Sequence, residues 1–224
     1  MSLLFWRGDS ETRDVAVSES HPLPTQTIEN LSSSPTIREL LTRNIDVAAW
    51  LAGEGRVYYA ADADQNDLVT AQTSFADTTP TFLLRVPAGT VCIPLLVSLG
   101  QTGTVAGDTI SAIIEIDNID RYSTGGTSET VFNSRTYGTP TNKCTLLSGA
   151  TALTGYGVRI MGVNLAQDVA PAEGISNEII WSPSGPDFLV GPAAFLVYTY
   201  AGTTAPTWFW SFKWAEFPIA RFGF

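Results

Sequence analysis

From Thr207 to Trp214 the chain places Trp208, Trp210, Phe212 and Trp214 on one side of a two-residue period, and Thr207, Ser211 and Lys213 on the other. Only an extended strand puts residues i, i+2 and i+4 on one face; a helix would scatter them around its axis. A strand face made of three tryptophans and a phenylalanine must be covered by a second apolar layer. The stretch therefore predicts a layered β structure, with this row as the inner face of a central strand. A subunit interface or a sugar platform is the functional alternative, because aromatics also dominate binding hot spots.

The same period recurs upstream. Ile45, Val47, Ala49 and Leu51 form one apolar row, and Val57, Tyr59 and Ala61 form another. Phe82, Leu84 and Val86 alternate with Leu83 and Arg85. Val91, Ile93, Leu95, Val97 and Leu99 share a face, with Pro94 opposite them as the mark of an edge or a bulge. Ile110, Ala112, Ile114 and Ile116 make the next row, and Tyr156–Met161, Glu178–Trp181 and Ala193–Tyr200 follow. Joined by Gly-, Pro- and Thr-rich connections, these segments predict an all-β, jelly-roll-like β-sandwich of about eight or nine strands over residues 42–224. No amphipathic helix longer than two turns is expected.

Residues 1–41 read differently. Pro22, Pro24 and Ser32-Ser33-Ser34-Pro35 interrupt any period, which predicts an extended N-terminal arm. Leu3, Leu4, Phe5 and Trp6 make its tip apolar, and together with Pro22 and Pro24 they are the candidate partner-binding residues.

Charge bears on partners. Twelve basic against 22 acidic residues give a net charge of −10, and no basic stripe exists that could follow a phosphate backbone. Neither nucleic acid nor membrane is an expected partner. Charged residues are 15% of the chain, well under the usual share of about 25%. No run approaches the roughly 18 apolar residues of a membrane helix.

Chemistry-bearing patterns are sparse. The single histidine, His21, precedes Pro22 in the arm, so the usual nucleophile–histidine arrangements have nothing to build on. Two cysteines and one histidine cannot fill a structural zinc site. Cys92 lies in an apolar run and reads as a small core residue, and pairing with Cys144 stays open. Asp62, Asp64 and Asn66 match three ligand positions of an EF-hand loop, but Asp67 and Thr73 stand where its glycine and glutamate belong. A looser calcium loop and a solvated acidic turn are the two readings left. Glu115 and Asp117 share a strand face near Asp120 and read as solvent-facing charges, not as a glycosidase pair. Arg7-Gly8-Asp9 is a three-residue match that a tight turn explains, and the sequon Asn30-Leu31-Ser32 is read without a secretory signal that would make it relevant. No catalytic residue, cofactor or metal is expected.

Several segments resemble a known class. Trp6-Arg7-Gly8-Asp9, Arg13–Val17 and His21-Pro22-Leu23-Pro24 are similar to the N-terminal arm of some tailed-bacteriophage virion proteins. Phe82–Thr90, Ile93-Pro94-Leu95 and Gln101–Gly107 resemble β-sandwich proteins from the same setting, the capsid decoration, or cement, class. The resemblance covers the arm and about half of the domain. It implies trimers of a jelly-roll domain on the outer capsid surface, made in the host cytoplasm, with the major capsid protein as partner. It carries over no individual site residue. A receptor- or carbohydrate-binding module of a tail or fibre is the competing class on the same sandwich.

Overall fold

The computed structural model describes residues 4–7, 14–17, 47–62, 68–102, 109–136, 140–165, 177–184, 187–202 and 204–222. The chain divides into two compact units, Met1–Val47 and Ala48–Phe224. Strands of four residues or more are numbered here in chain order.

In the first unit, β1 (Leu4–Arg7) and β2 (Asp14–Val17) pair antiparallel, with Leu4 opposite Val17 and Arg7 opposite Asp14. Within the segment read as an extended arm, these two strands pair with each other. Apolar, aromatic and β-branched text favours strands on both sides, and Gly8-Asp9-Ser10 is turn-forming sequence between them. Leu4, Phe5 and Trp6 fall in β1; Leu3, Pro22 and Pro24 lie outside the described residues.

The second unit is an all-β sandwich. Its longer strands are β3 (Val57–Ala61), β4 (Phe82–Val86), β5 (Thr90–Thr102), β6 (Ile110–Asp117), β7 (Thr145–Ser148), β8 (Val158–Leu165), β9 (Glu178–Trp181), β10 (Ala193–Tyr200) and β11 (Thr207–Pro218). One sheet has seven strands in the order Phe132–Asn133, β3, β11, β5, β9, with Val69–Thr70 also on β11 and Leu189–Val190 also on β5. The other has six, in the order β8, β6, β10, β4, β7, Thr127–Ser128. Neighbours in both sheets pair antiparallel.

The core between the sheets holds the predicted aromatic row. Trp208, Trp210, Phe212 and Trp214 are all at most 4% exposed. Phe82 of the six-stranded sheet packs against Trp210 and Phe212 of the seven-stranded sheet at centroid distances of 5.1 and 4.9 Å. Leu84, Val86, Ile110, Ala112, Ile114, Phe195 and Val197 complete the opposite wall. Inside this apolar layer, Trp208 Nε1 donates to Thr199 Oγ1 at 3.0 Å, and the Thr81 and Thr199 hydroxyls bond to each other at 2.9 Å. The indole and both hydroxyls thus keep hydrogen bonds after leaving water.

A bulge divides β5 in two. Lys213 pairs with Leu96 but Trp214 pairs with Pro94, so Leu95 is an extra residue facing an unbroken β11. Val97 and Leu99 point into the core, whereas Val91 belongs to an apolar cluster on the outer side of the sheet, with Ile93 and Leu95 packed against it. The single row read from Val91 to Leu99 is therefore two rows on opposite faces. Pro94 marks the bulge: it pairs with Trp214 of β11, and on the other side of β5 the paired segments flank it, Leu189–Val190 at Val91–Cys92 and β9 at Val97–Gly100.

Three further expectations are corrected. The row Ile45–Leu51 predicts a strand, but Val47–Gly53 is helix α1. Alanine is the strongest helix former, and Val47-Ala48-Ala49-Trp50-Leu51-Ala52 needs only one covered side. The helix ends in a Schellman motif: Arg56 N donates to Leu51 O, Gly55 N donates to Ala52 O, and Gly55 takes φ +71°. In β3 the core receives Tyr58 and Ala60, while Tyr59 points outward, opposite to the row predicted. The strand read as Tyr156–Met161 lies at Val158–Leu165.

Both sheets carry apolar residues on their outer faces. On the six-stranded sheet, Leu83, Ile113, Ala194, Leu196 and Tyr198 cluster with Leu147, Ala150 and Ala152, and Phe75 and Tyr122 pack against them. On the seven-stranded sheet, Val57, Val91, Ala215 and Phe217 cluster with Leu51 of α1, joined by Ile219 and Phe222.

Candidate functional site

The carboxylates singled out in the sequence are structural. Glu115 is 2% exposed, which corrects the expectation of a solvent-facing charge. Its Oε2 accepts from Gly157 N at 3.3 Å, and its Oε1 lies 3.6 Å from Arg159 Nη2. Asp117 pairs with buried Arg121 at 3.1 Å, and Arg121 Nη2 also donates to the carbonyls of Leu153 and Gly155. Asp120 accepts from Arg85 Nε and Nη2 at 3.2 and 2.5 Å and from Tyr122 N at 3.1 Å. The loop Leu153–Gly157 supplies the two carbonyls that hold Arg121 and the amide that holds Glu115, while the three ion-pair partners come from β4, β8 and the segment after β6. Beneath it, Tyr198 donates to the Asp77 carbonyl at 2.9 Å. Burial, followed by the negative charge of Glu115, pushes the Tyr198 hydroxyl above its usual range.

Asp62 closes a strand end: its amide donates to Trp210 O, and its Oδ2 accepts from Trp210 N, both at 3.2 Å. Asp64, Asn66 and Asp67 lie outside the described residues, as do His21, Gly8, Asp9 and Asn30. Among the described residues no group of three His, Cys, Asp or Glu side chains is placed to hold a metal. No helix among them is long and apolar enough to cross a membrane.

Cys92 and Cys144 are both buried free thiols. The neighbouring Cys92 thiol, then burial, pushes the Cys144 thiol far above its usual range, so it stays protonated. Beside them lies a group that sequence reasoning missed. Glu216 is 4% exposed, and it accepts from Lys143 N at 2.6 Å, Cys144 N at 3.1 Å and Trp214 Nε1 at 2.7 Å. Three N–H donors hold this buried carboxylate and tie the β7 entry to β11. The only signal in sequence was its place on the aromatic face, two residues beyond Trp214.

The surface that remains is the outer face of the seven-stranded sheet beyond the bulge. Here the strands place residues in register: Phe132, Tyr59, Lys213 and Leu96 in one row, and Ala61, Ser211, Ser98 and Ile180 in the next. Phe209 lies opposite Gly100, with Glu178 on the far side. Phe132, Phe209 and Ile180 are 46, 45 and 61% exposed, and Tyr59 is 38% exposed. The Tyr59 and Phe132 rings stack at 5.6 Å with 28° between their planes. Beside them Tyr59, Leu96, Ser134, Ser211, Phe212 and Lys213 line a depression of about 360 Å3. Lys213 is exposed and makes no ion pair among the described residues.

This face joins aromatic rings, hydroxyls and one ammonium group on a rigid sheet, a set suited to binding. The sequence reading placed Tyr59 inside and gave Lys213 no role. The alternation of β11 does put Lys213 outward, whereas nothing in Val57–Ala61 alone says which row is buried. No protein-family model, no curated protein and no solved structure matches this chain.

Proposed function

We propose that this chain is a non-enzymatic structural protein of a tailed-phage virion. It is a decoration protein with a jelly-roll-like sandwich, a homotrimer bound to the major capsid protein on the outer capsid surface. The observation that carries this reading is the division into two units. The apolar segment Leu4-Phe5-Trp6 sits in a hairpin belonging to a unit of its own, while the sandwich forms a separate body with its own core. Such a division suits attachment through one unit and display of the other. A net charge of −10 supports the outer side, since an inner position meets packaged DNA. Anchors such as Phe5 and Trp6 contribute roughly 1.5–3 kcal/mol each when buried on a partner.

Purified undecorated capsids mixed with the protein provide the test. Co-sedimentation of the full chain is expected, weakened in a chain lacking Met1–Pro24 whose thermal unfolding is unchanged. Equal attachment by the truncated chain overturns the tether, and the absence of any shell binding overturns the decoration reading. The exposed Tyr59–Phe132 pair favours a second reading, a receptor- or carbohydrate-binding module of a tail or fibre. Binding to tails or to host glycans without binding to shells is its signature.

A further inference from the structure

We infer that the open face of the seven-stranded sheet is a binding site for an acidic sugar, a pyranose bearing a carboxylate. The inference rests on the carbohydrate-binding reading of this face and is independent of capsid attachment. Three features converge on that ligand class. Tyr59 and Phe132 stack on one another, their centroids 5.6 Å apart with 28° between the planes, and both stay partly exposed, so the pair keeps aromatic surface open to a ligand. The C–H face of a pyranose is apolar and covers such a surface well, while its hydroxyls remain at the rim. The adjoining depression of about 360 Å3 falls within the range of small-molecule sites, about 300–1,000 Å3. Ser134 and Ser211 line it with hydroxyls that can donate to or accept from sugar hydroxyls.

Charge decides between a neutral and an acidic sugar. Lys213 lies in register between Tyr59 and Leu96, beside the ring pair, and no carboxylate among the described residues pairs with it. In a chain with a net charge of −10, an outward ammonium without a carboxylate partner beside an aromatic platform complements an anion. Among the described residues in register on this face, the acidic one is Glu178, which sits across Gly100 on β9, away from the depression. The rings would set the stacking plane, and Lys213 Nζ would pair with the ligand's carboxylate by a charge-assisted hydrogen bond.

A tetramer of β-1,4-linked glucuronate and the neutral cellotetraose, titrated against the full chain by calorimetry and by ligand-observed NMR, test this directly. The glucuronate should bind more tightly, with an affinity that falls as salt is raised. Lys213→Gln should weaken glucuronate binding by about tenfold and leave cellotetraose unchanged, and Lys213→Arg should restore most of the loss. Tyr59→Ala should weaken both sugars, whereas Tyr59→Trp should retain them. Both positions of change, Tyr59 and Lys213, lie on an exposed face, and an unchanged thermal midpoint verifies the fold of each of the four variants. Equal binding of the two sugars, or indifference to Lys213→Gln, overturns the acidic ligand while leaving a carbohydrate site. Binding of neither sugar overturns the carbohydrate reading of this face, and co-sedimentation with capsids remains a separate result.

Discussion

The outer face of the seven-stranded sheet has two halves with opposite fates, separated by one residue. On the Val91 side of the bulge, Val57, Val91, Ala215 and Phe217 lie under helix α1 and the turn Ile219–Arg221. On the Leu99 side the same strands present Tyr59, Leu96, Ser98, Ser211 and Lys213 to the depression and to solvent. Strand β11 alternates without interruption through both halves, so its outward residues change in chemistry, not in phase: Ala215 and Phe217 on one side, Phe209, Ser211 and Lys213 on the other. In β5 the extra Leu95 is what lets apolar Val91 face outward and apolar Val97 face inward. One half is a second small core and the other is a surface available for recognition.

Deleting Leu95 should break this comparison most severely. Removing the bulge slips one part of β5 by a residue and sends Val91 and Ile93 to the wrong face, so loss of cooperative folding by circular dichroism is expected. A folded deletion variant would show that the bulge does not set the register.

The next largest effect separates the halves by energy. Phe217→Ala in the covered half should cost about 3–5 kcal/mol in denaturant unfolding, as large-to-small core changes do. Phe209→Ala in the open half should stay within about 0.5–1 kcal/mol, the usual scale for surface changes. Similar losses would mean that Phe209 is covered as well.

The cap of α1 comes third. Gly55 holds φ +71°, and a Cβ there would approach Pro140 Cδ to 2.8 Å. Gly55→Ala should cost about 1–2 kcal/mol from the left-handed backbone alone, lower the thermal midpoint, and leave sugar or shell binding intact.

The smallest effect lies on the other sheet. Burial pulls the Asp120 carboxyl upward, but the hydrogen bonds from Arg85 and Tyr122 outweigh it and hold the group below the usual carboxylate range. The folded state therefore keeps this charge to lower pH than the unfolded chain. The gain is complete above the unfolded value near about 4 and is lost as pH falls through the lower folded value. Both side chains are 36% exposed, so solvent screens the pair. Asp120→Asn should cost under about 1 kcal/mol at neutral pH, and the difference should vanish in acid.

Legibility followed whether a polar or charged residue marked the outward phase of a row. Lys213 in Trp208–Trp214, Arg85 in Phe82–Val86 and Glu115 in Ile110–Ile116 mark the outward phase despite Phe209, Leu83 and Ile113 beside them, and all three rows pack in or against the core as read. Val57–Ala61 is apolar or aromatic at every position, so its phase depended on which neighbour covered it. Val91–Leu99 misled because a bulge changes phase without changing residue types, and only Pro94 hinted at it. Glu115 and Arg121 could not be placed, because their burial depends on a loop, Leu153–Gly157, that is distant in sequence from both. The open face was invisible for a related reason: Phe132, Tyr59, Lys213 and Leu96 come from four separate segments that only the sheet register aligns.

The place of β11 has a consequence for how the chain comes to its structure in time. This strand lies between β3 and β5, pairing Val57 with Ala215 and Thr90 with Pro218. Chain closure over such separations is slow, and topologies dominated by distant pairs fold on the millisecond-to-second scale. During synthesis β3 and β5 leave the ribosome long before the strand that joins them, so one hydrogen-bonding edge of each lacks its partner. The nascent chain must wait for Thr207–Pro218, and in that interval its exposed strand edges are open to wrong partners.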